Sequence, residues 1–88
     1  MTRPSRIALL CATRRGHLFF KKLIDLLPES ELTVFSFREE PWEPAFFDGI
    51  KHAVESRKQR FIEAKKVGSG EHAQIWEQTD FDLLLAVN

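Results

Sequence analysis

The sequence predicts an α/β fold: an open parallel sheet of strand order 3-2-1-4, with helices on both faces, truncated after the fourth strand. Three observations predict it. Ile7-Ala8-Leu9-Leu10-Cys11-Ala12 is a continuous apolar run, too short for a lone helix and uncharged, as a strand buried on both faces should be. Strand-like and helix-like segments then alternate along the chain, the pattern of successive βαβ crossovers. Phe81-Asp82-Leu83-Leu84-Leu85-Ala86-Val87-Asn88 closes the chain as its strongest strand signal. The first run is the most buried strand type, so strand one is placed between strands two and four, all parallel.

Each element has its own warrant. Thr13, Arg14, Arg15 and Gly16 break the first apolar run with small and charged residues. Phe20, Leu23, Ile24 and Leu27 then recur at helical spacing, with Lys21, Lys22 and Asp25 opposite, until Pro28 stops the helix. Leu32-Thr33-Val34-Phe35-Ser36-Phe37 supplies the β-branched and aromatic residues of strand two. Arg38-Glu39-Glu40-Pro41-Trp42-Glu43-Pro44 cannot continue it, because two prolines and four charges disfavour a central strand. Pro44 suits a helix start, and Phe46 or Phe47, Ile50, Ala53 and Val54 give an apolar face to a helix over 45–58. Residues 61–64 are apolar enough for a short third strand, made an edge by Lys65 and Lys66. Val67-Gly68-Ser69-Gly70 forms a turn, and a helix from about residue 71 carries His72, Ile75, Trp76 and Thr79 on one face before Asp80 breaks it. The resulting β-α-β-α-β-α-β order is that of a Rossmann-like sheet. Its stop at the end of the fourth strand predicts an incomplete domain.

Composition excludes several classes. Lys+Arg and Asp+Glu are both 13, so no global field draws the protein to nucleic acid or an anionic membrane. The single Cys11 allows no disulfide framework and no CxxC motif, which fits a reducing, cytoplasmic setting. No apolar run approaches the ~18–20 residues of a transmembrane helix. His17, His52 and His72 are too scattered for a metal site, and none is expected. There is no GxGxxG after the first strand and no GxxxxGK[ST], which counts against dinucleotide and NTP binding.

The opening Arg6-Ile7-Ala8-Leu9-Leu10, the loop Ser36-Phe37-Arg38-Glu39-Glu40-Pro41-Trp42-Glu43-Pro44 and the closing run 81–88 resemble the N-terminal half of folate-dependent formyltransferases. That family includes methionyl-tRNA formyltransferase, glycinamide ribonucleotide formyltransferase and the sugar-nucleotide formyltransferases. The resemblance spans nearly all of the chain but only the first part of a full family domain. It implies the substrate-side portion of an enzyme that moves a formyl group from 10-formyltetrahydrofolate to an amine. The departures shape what is expected here. The family's catalytic Asn, His and Asp follow the fourth strand, whereas this sequence has no Asn-x-His and Asn88 is its only Asn. No catalytic residue is therefore carried over, and the chain alone is expected to be inactive and not to hold the folate tightly. Methionyl-tRNA formyltransferases tend to carry a basic Gly- and Lys-rich loop after strand two; here Glu39, Glu40 and Glu43 stand against Arg38. This favours a small amine acceptor, such as a nucleotide-sugar, over tRNA. The first loop also lacks the family's usual Gly-Ser or Gly-Thr.

Ligands of open α/β sheets bind beyond the carboxyl ends of the strands. The candidate substrate-binding residues are accordingly Thr13, Arg14, Arg15 and Gly16 in the first loop and Arg38, Glu39 and Trp42 in the second. A helix start and two arginines suit phosphate or carboxylate. Each has a plainer reading: Arg14 and Arg15 as a solvated pair, Thr13 or Gly16 as a cap, the glutamates paired with Arg38, and Trp42 as a plug over the sheet. The alternative function is a small non-catalytic α/β binding or interaction domain. A flavodoxin-like or receiver-like domain fits less well, since no acidic cluster follows the first strand. The final expectation concerns partners. Residues 81–88, with Asp82 as their only charge, form an unprotected sheet edge that should self-associate.

Overall fold

A computed structural model describes residues 4–63 and 73–87. Ala64, Lys65, Lys66, the 67–70 turn, His72, Asn88 and the side chain of Trp76 lie outside the described residues. Four strands and three helices alternate: β1 (Arg6–Cys11), α1 (Thr13–Leu26), β2 (Glu31–Ser36), α2 (Phe47–Ser56), β3 (Arg60–Glu63), α3 (Ala73–Gln78) and β4 (Leu83–Val87). All neighbouring strands are parallel, in the order β3-β2-β1-β4. This is the small Rossmann-like sheet that the apolar runs predict, with β1 at its interior.

Strand alternation sorts the core into two layers. Ile7, Leu9 and Cys11 of β1, with Leu32 and Val34 of β2, meet Phe20 and Ile24 of α1 and Ile50 and Val54 of α2. On the other face Ala8 and Phe35, flanked by Leu10 and Ile62, meet Ile75 of α3 and Phe81. Burying a side chain such as Phe20 or Ile24 stabilises by about 2–3 kcal/mol relative to leaving it in water. The amino ends of the strands are tied by side-chain and backbone hydrogen bonds. Asp82 Oδ2 accepts the Arg6 N–H at 2.8 Å while the Asp82 N–H donates to the Arg6 carbonyl, which sets β4 on β1. The Gln59 Oε1 accepts the Leu32 N–H at 2.8 Å and does the same for β2.

Two helix starts differ from those the sequence suggests. α1 begins at Thr13, so the predicted loop is the first helical turn. The turn out of β1 is made within two residues: Ala12 is extended and Thr13 takes φ 67°. α2 begins at Phe47 rather than near Pro44, because its first N–H group is capped from the preceding loop. Pro28 does end α1, whose last turn is closed by the Leu27 N–H on the Leu23 carbonyl at 2.8 Å. Among the described residues, no helix is long and apolar enough to cross a membrane.

Candidate functional site

β1 and β2 end side by side, and the chain leaves each into a helix on the same face of the sheet. A cleft of about 440 Å³ opens at this end. One wall is Ala12, Thr13, Arg14 and Arg15; the other is Phe37, Glu39, Glu43, Pro44 and Phe46.

The first wall is a sharp strand-to-helix turn. Gly16 is buried and seats α1 on β1: a Cβ there would lie 2.7 Å from the Cys11 Cβ and 3.2 Å from the Cys11 carbonyl carbon. The close seat brings the start of α1 to the rim of the cleft. Thr13, exposed and β-branched, is held in the left-handed region at φ 67°, a strain of about 1–3 kcal/mol. No side chain caps α1, and its first turn contains no acidic residue. The positive end of its dipole is therefore offset by nothing within the helix. Arg14 and Arg15 are exposed and form no ion pair among the described residues.

The second wall is built differently. Both oxygens of Glu39 reach the Phe47 N–H, at 3.1 and 3.3 Å, so this carboxylate caps α2. Arg38 lies 4.4 Å above the Phe47 ring and 3.4 Å from Asp48, bracing the same helix start from the solvent side. Glu43 has its backbone fixed by an N–H bond to the Glu40 carbonyl at 3.0 Å, while its carboxylate is unpaired among the described residues. Phe37, Pro44 and Phe46 supply apolar lining.

The sequence candidates thus divide. Thr13, Arg14, Arg15 and Glu39 line the cleft. Gly16 faces the sheet, Arg38 braces α2, and Trp42 stands 80% exposed away from the lining. Phe37, Glu43, Pro44 and Phe46 complete the cleft without having been singled out as binding residues. Their signal was the two-proline loop itself, which must fold back over the sheet end before α2. Ser36, just before Phe37, is buried with an Oγ that has no hydrogen-bond partner among the described residues.

Two other reactive groups lie apart from the cleft. Burial pushes the Cys11 thiol up to about 12, so it stays protonated and inert. His17 sits against Gly49 of α2; burial, with Lys21 adding to it, lowers its pKa and favours neutral imidazole. Among the described residues, no three His, Cys, Asp or Glu side chains are grouped to hold a metal ion. No protein-family model, curated protein or solved structure matches the chain.

Proposed function

We propose that the cleft binds a small amine that also carries a phosphate or carboxylate, as the acceptor side of a folate-dependent formyltransferase. The observation that supports this reading is the polarity of the cleft. Two arginines with no ion pair among the described residues, and a helix start with no side-chain cap, face Glu43, whose carboxylate is likewise unpaired among the described residues, across an apolar lining. The anion would sit on Arg14, Arg15 and the first N–H groups of α1, and the amine would point to Glu43. An acceptor held at both ends is oriented as well as bound, which is what formyl transfer asks of this part of an enzyme. The β-α-β-α-β-α-β order and the Arg38-Glu39-Glu40-Pro41-Trp42 loop support the family reading. The base and oxyanion stabiliser that the transfer also needs are assigned to no residue of this chain, and 10-formyltetrahydrofolate to no site on it.

Calorimetry with a nucleotide-linked amino sugar, and with the same compound bearing a hydroxyl in place of the amine, tests the proposal. Arg14→Ala/Arg15→Ala should weaken binding about 10- to 100-fold, from the loss of charge-assisted contacts worth about 1.5–3 kcal/mol. Added salt should weaken the wild type more than the double variant. Glu43→Gln should abolish the preference for the amine. Equal binding by wild type and double variant would overturn the reading. A non-catalytic anion-binding module, the competing function, predicts binding with no preference for the amine. The chain alone should not turn over 10-formyltetrahydrofolate. Turnover abolished by substituting a residue of this chain would show that it carries chemistry as well.

A further inference from the structure

We propose that a polar notch at the amino end of the sheet, remote from the cleft, is a binding site in its own right, which holds a phosphate group on Lys58, Arg60 and the Thr33 hydroxyl. The notch measures about 500 Å³ and is lined from β1, β2, β3 and the end of α3. Strand register builds its floor. Arg6 pairs with Glu31, and Thr33 lies between Ala8 on one side and Arg60 on the other. Neighbours in register share a face of the sheet, and alternation puts these residues on the face that carries Ala8, Phe35 and Ile62. Farther along the strands α3 covers that face through Ile75. The helix ends at Gln78, which lines the notch together with Thr79. Where α3 stops, the face turns from apolar to polar and stays open.

Most polar groups here are already engaged, and the exceptions define the site. In the run Arg57-Lys58-Gln59-Arg60, Arg57 lies 3.3 Å from Asp25 of α1. Gln59 is taken up at both ends of its amide: Oε1 accepts the Leu32 N–H, and Nε2 donates to the Arg57 carbonyl. Arg6 lies 3.4 Å from Glu31. Lys58 and Arg60, by contrast, are exposed and form no ion pair among the described residues. Thr33 is the most telling residue. It is 7% exposed, yet its side chain makes no hydrogen bond among the described residues. Among those residues the fully sealed, partnerless side-chain oxygen is that of Ser36, so the Thr33 oxygen keeps access to the notch it lines. A buried hydroxyl without a partner costs about 1–3 kcal/mol, which an acceptor oxygen in the notch would recover.

The three groups select the ligand. Two unpaired cations, beside a Glu31 already tied to Arg6, leave an excess of positive charge that favours an anion. A carboxylate has two oxygens in one plane and is satisfied by a single guanidinium fork. Phosphate has tetrahedral oxygens and carries up to two negative charges, enough for Lys58, Arg60 and the Thr33 hydroxyl together. The last carbonyls of α3 make its end the negative pole of a short helix, which sets the phosphate toward β3 rather than toward Gln78 and Thr79. Lys58 holds its place against backbone preference, at φ 59° where glycine is less strained.

An amide NMR titration of the full chain with inorganic phosphate, run against sodium chloride at matched ionic strength, tests this. Saturable shifts are expected at Thr33 and Arg60, as a set separate from any at Thr13, Arg14 and Arg15. Arg60→Gln should weaken binding at this set about 5- to 10-fold, and so should Lys58→Gly, even though it stabilises the fold. Thr33→Val keeps the shape and removes the hydroxyl; it should weaken binding about 3- to 10-fold without lowering the thermal midpoint. Thr33→Ser, which keeps the hydroxyl, should bind as the wild type does. Shifts that chloride reproduces, or none at Thr33 and Arg60 up to about 50 mM phosphate, would overturn the proposal. Undiminished binding by Thr33→Val would do the same. Should that variant fail to fold, Arg60→Gln and Lys58→Gly decide, because both side chains already stand in water.

Discussion

Gly16 shows how much of this molecule rests on a single missing side chain. Its Cα lies against Cys11, so an added Cβ meets backbone that cannot move aside. Gly16→Ala should cost about 2–3 kcal/mol in urea unfolding, the upper part of the overpacking range. Nothing in the sequence distinguishes this glycine from a loop glycine, because close approach is a relation between residues distant along the helix and strand. Cys11 was legible as a buried thiol from its apolar neighbours. With its pKa raised to about 12, it should react with an alkylating reagent at pH 8 only when the fold opens, and urea should accelerate the reaction. Above the ordinary thiol value of 9.0, the unfolded chain ionises Cys11 while the folded one does not. Stability from this group is therefore lost as pH rises from 9 toward 12. Lys58 is the converse of Gly16, a side chain where glycine is preferred. It sits at φ 59° just past α2, with its N–H on the Glu55 carbonyl and the Gln59 N–H on the Val54 carbonyl. This is the paired bonding of a Schellman ending. Lys58→Gly should stabilise by about 0.5–1 kcal/mol, measured by thermal unfolding.

At the scale of elements, α2 is held from outside at one end and by its own backbone at the other. Its start is set by Glu39, eight residues before Phe47, and by the acidic Asp48 in its first turn. Glu39→Ala should cost about 1 kcal/mol, the usual loss of a helix cap. Because Glu39 also lines the cleft, the variant should lower ligand affinity as well. Ser56→Ala, at an exposed position near the other end of the helix, should leave affinity unchanged. Pro44 promised a helix start and did not provide one, since helix onset followed the available cap rather than the proline. The apolar spacing of Phe47, Ile50 and Val54 fixed the buried face correctly, because burial depends on period and not on the first residue. The same reasoning explains α1. Phe20 and Ile24 marked its core face, while its start moved four residues earlier than the charged stretch suggested.

For the whole molecule, the strand order was readable because parallel βαβ units with short connections leave few alternatives, and the most apolar strand must be covered on both sides. That order places the ends of β1 and β2 together, and it creates the cleft whatever the loops contain. What the loops contribute was only half legible. Arg14 and Arg15 could be found by charge at a helix start, whereas Arg38, of the same type, is spent on Phe47 and Asp48. Residue type alone cannot separate a free cation from an engaged one. Arg14 and Arg15, which form no ion pair among the described residues, are proposed to bind an anion at the start of α1. The most direct test is an amide NMR titration with a small amino-sugar phosphate. Saturable shifts are expected at Thr13, Arg14 and Arg15, weakening with salt and vanishing in Arg14→Ala/Arg15→Ala. Shifts absent from this turn, or unchanged in the double variant, would contradict it.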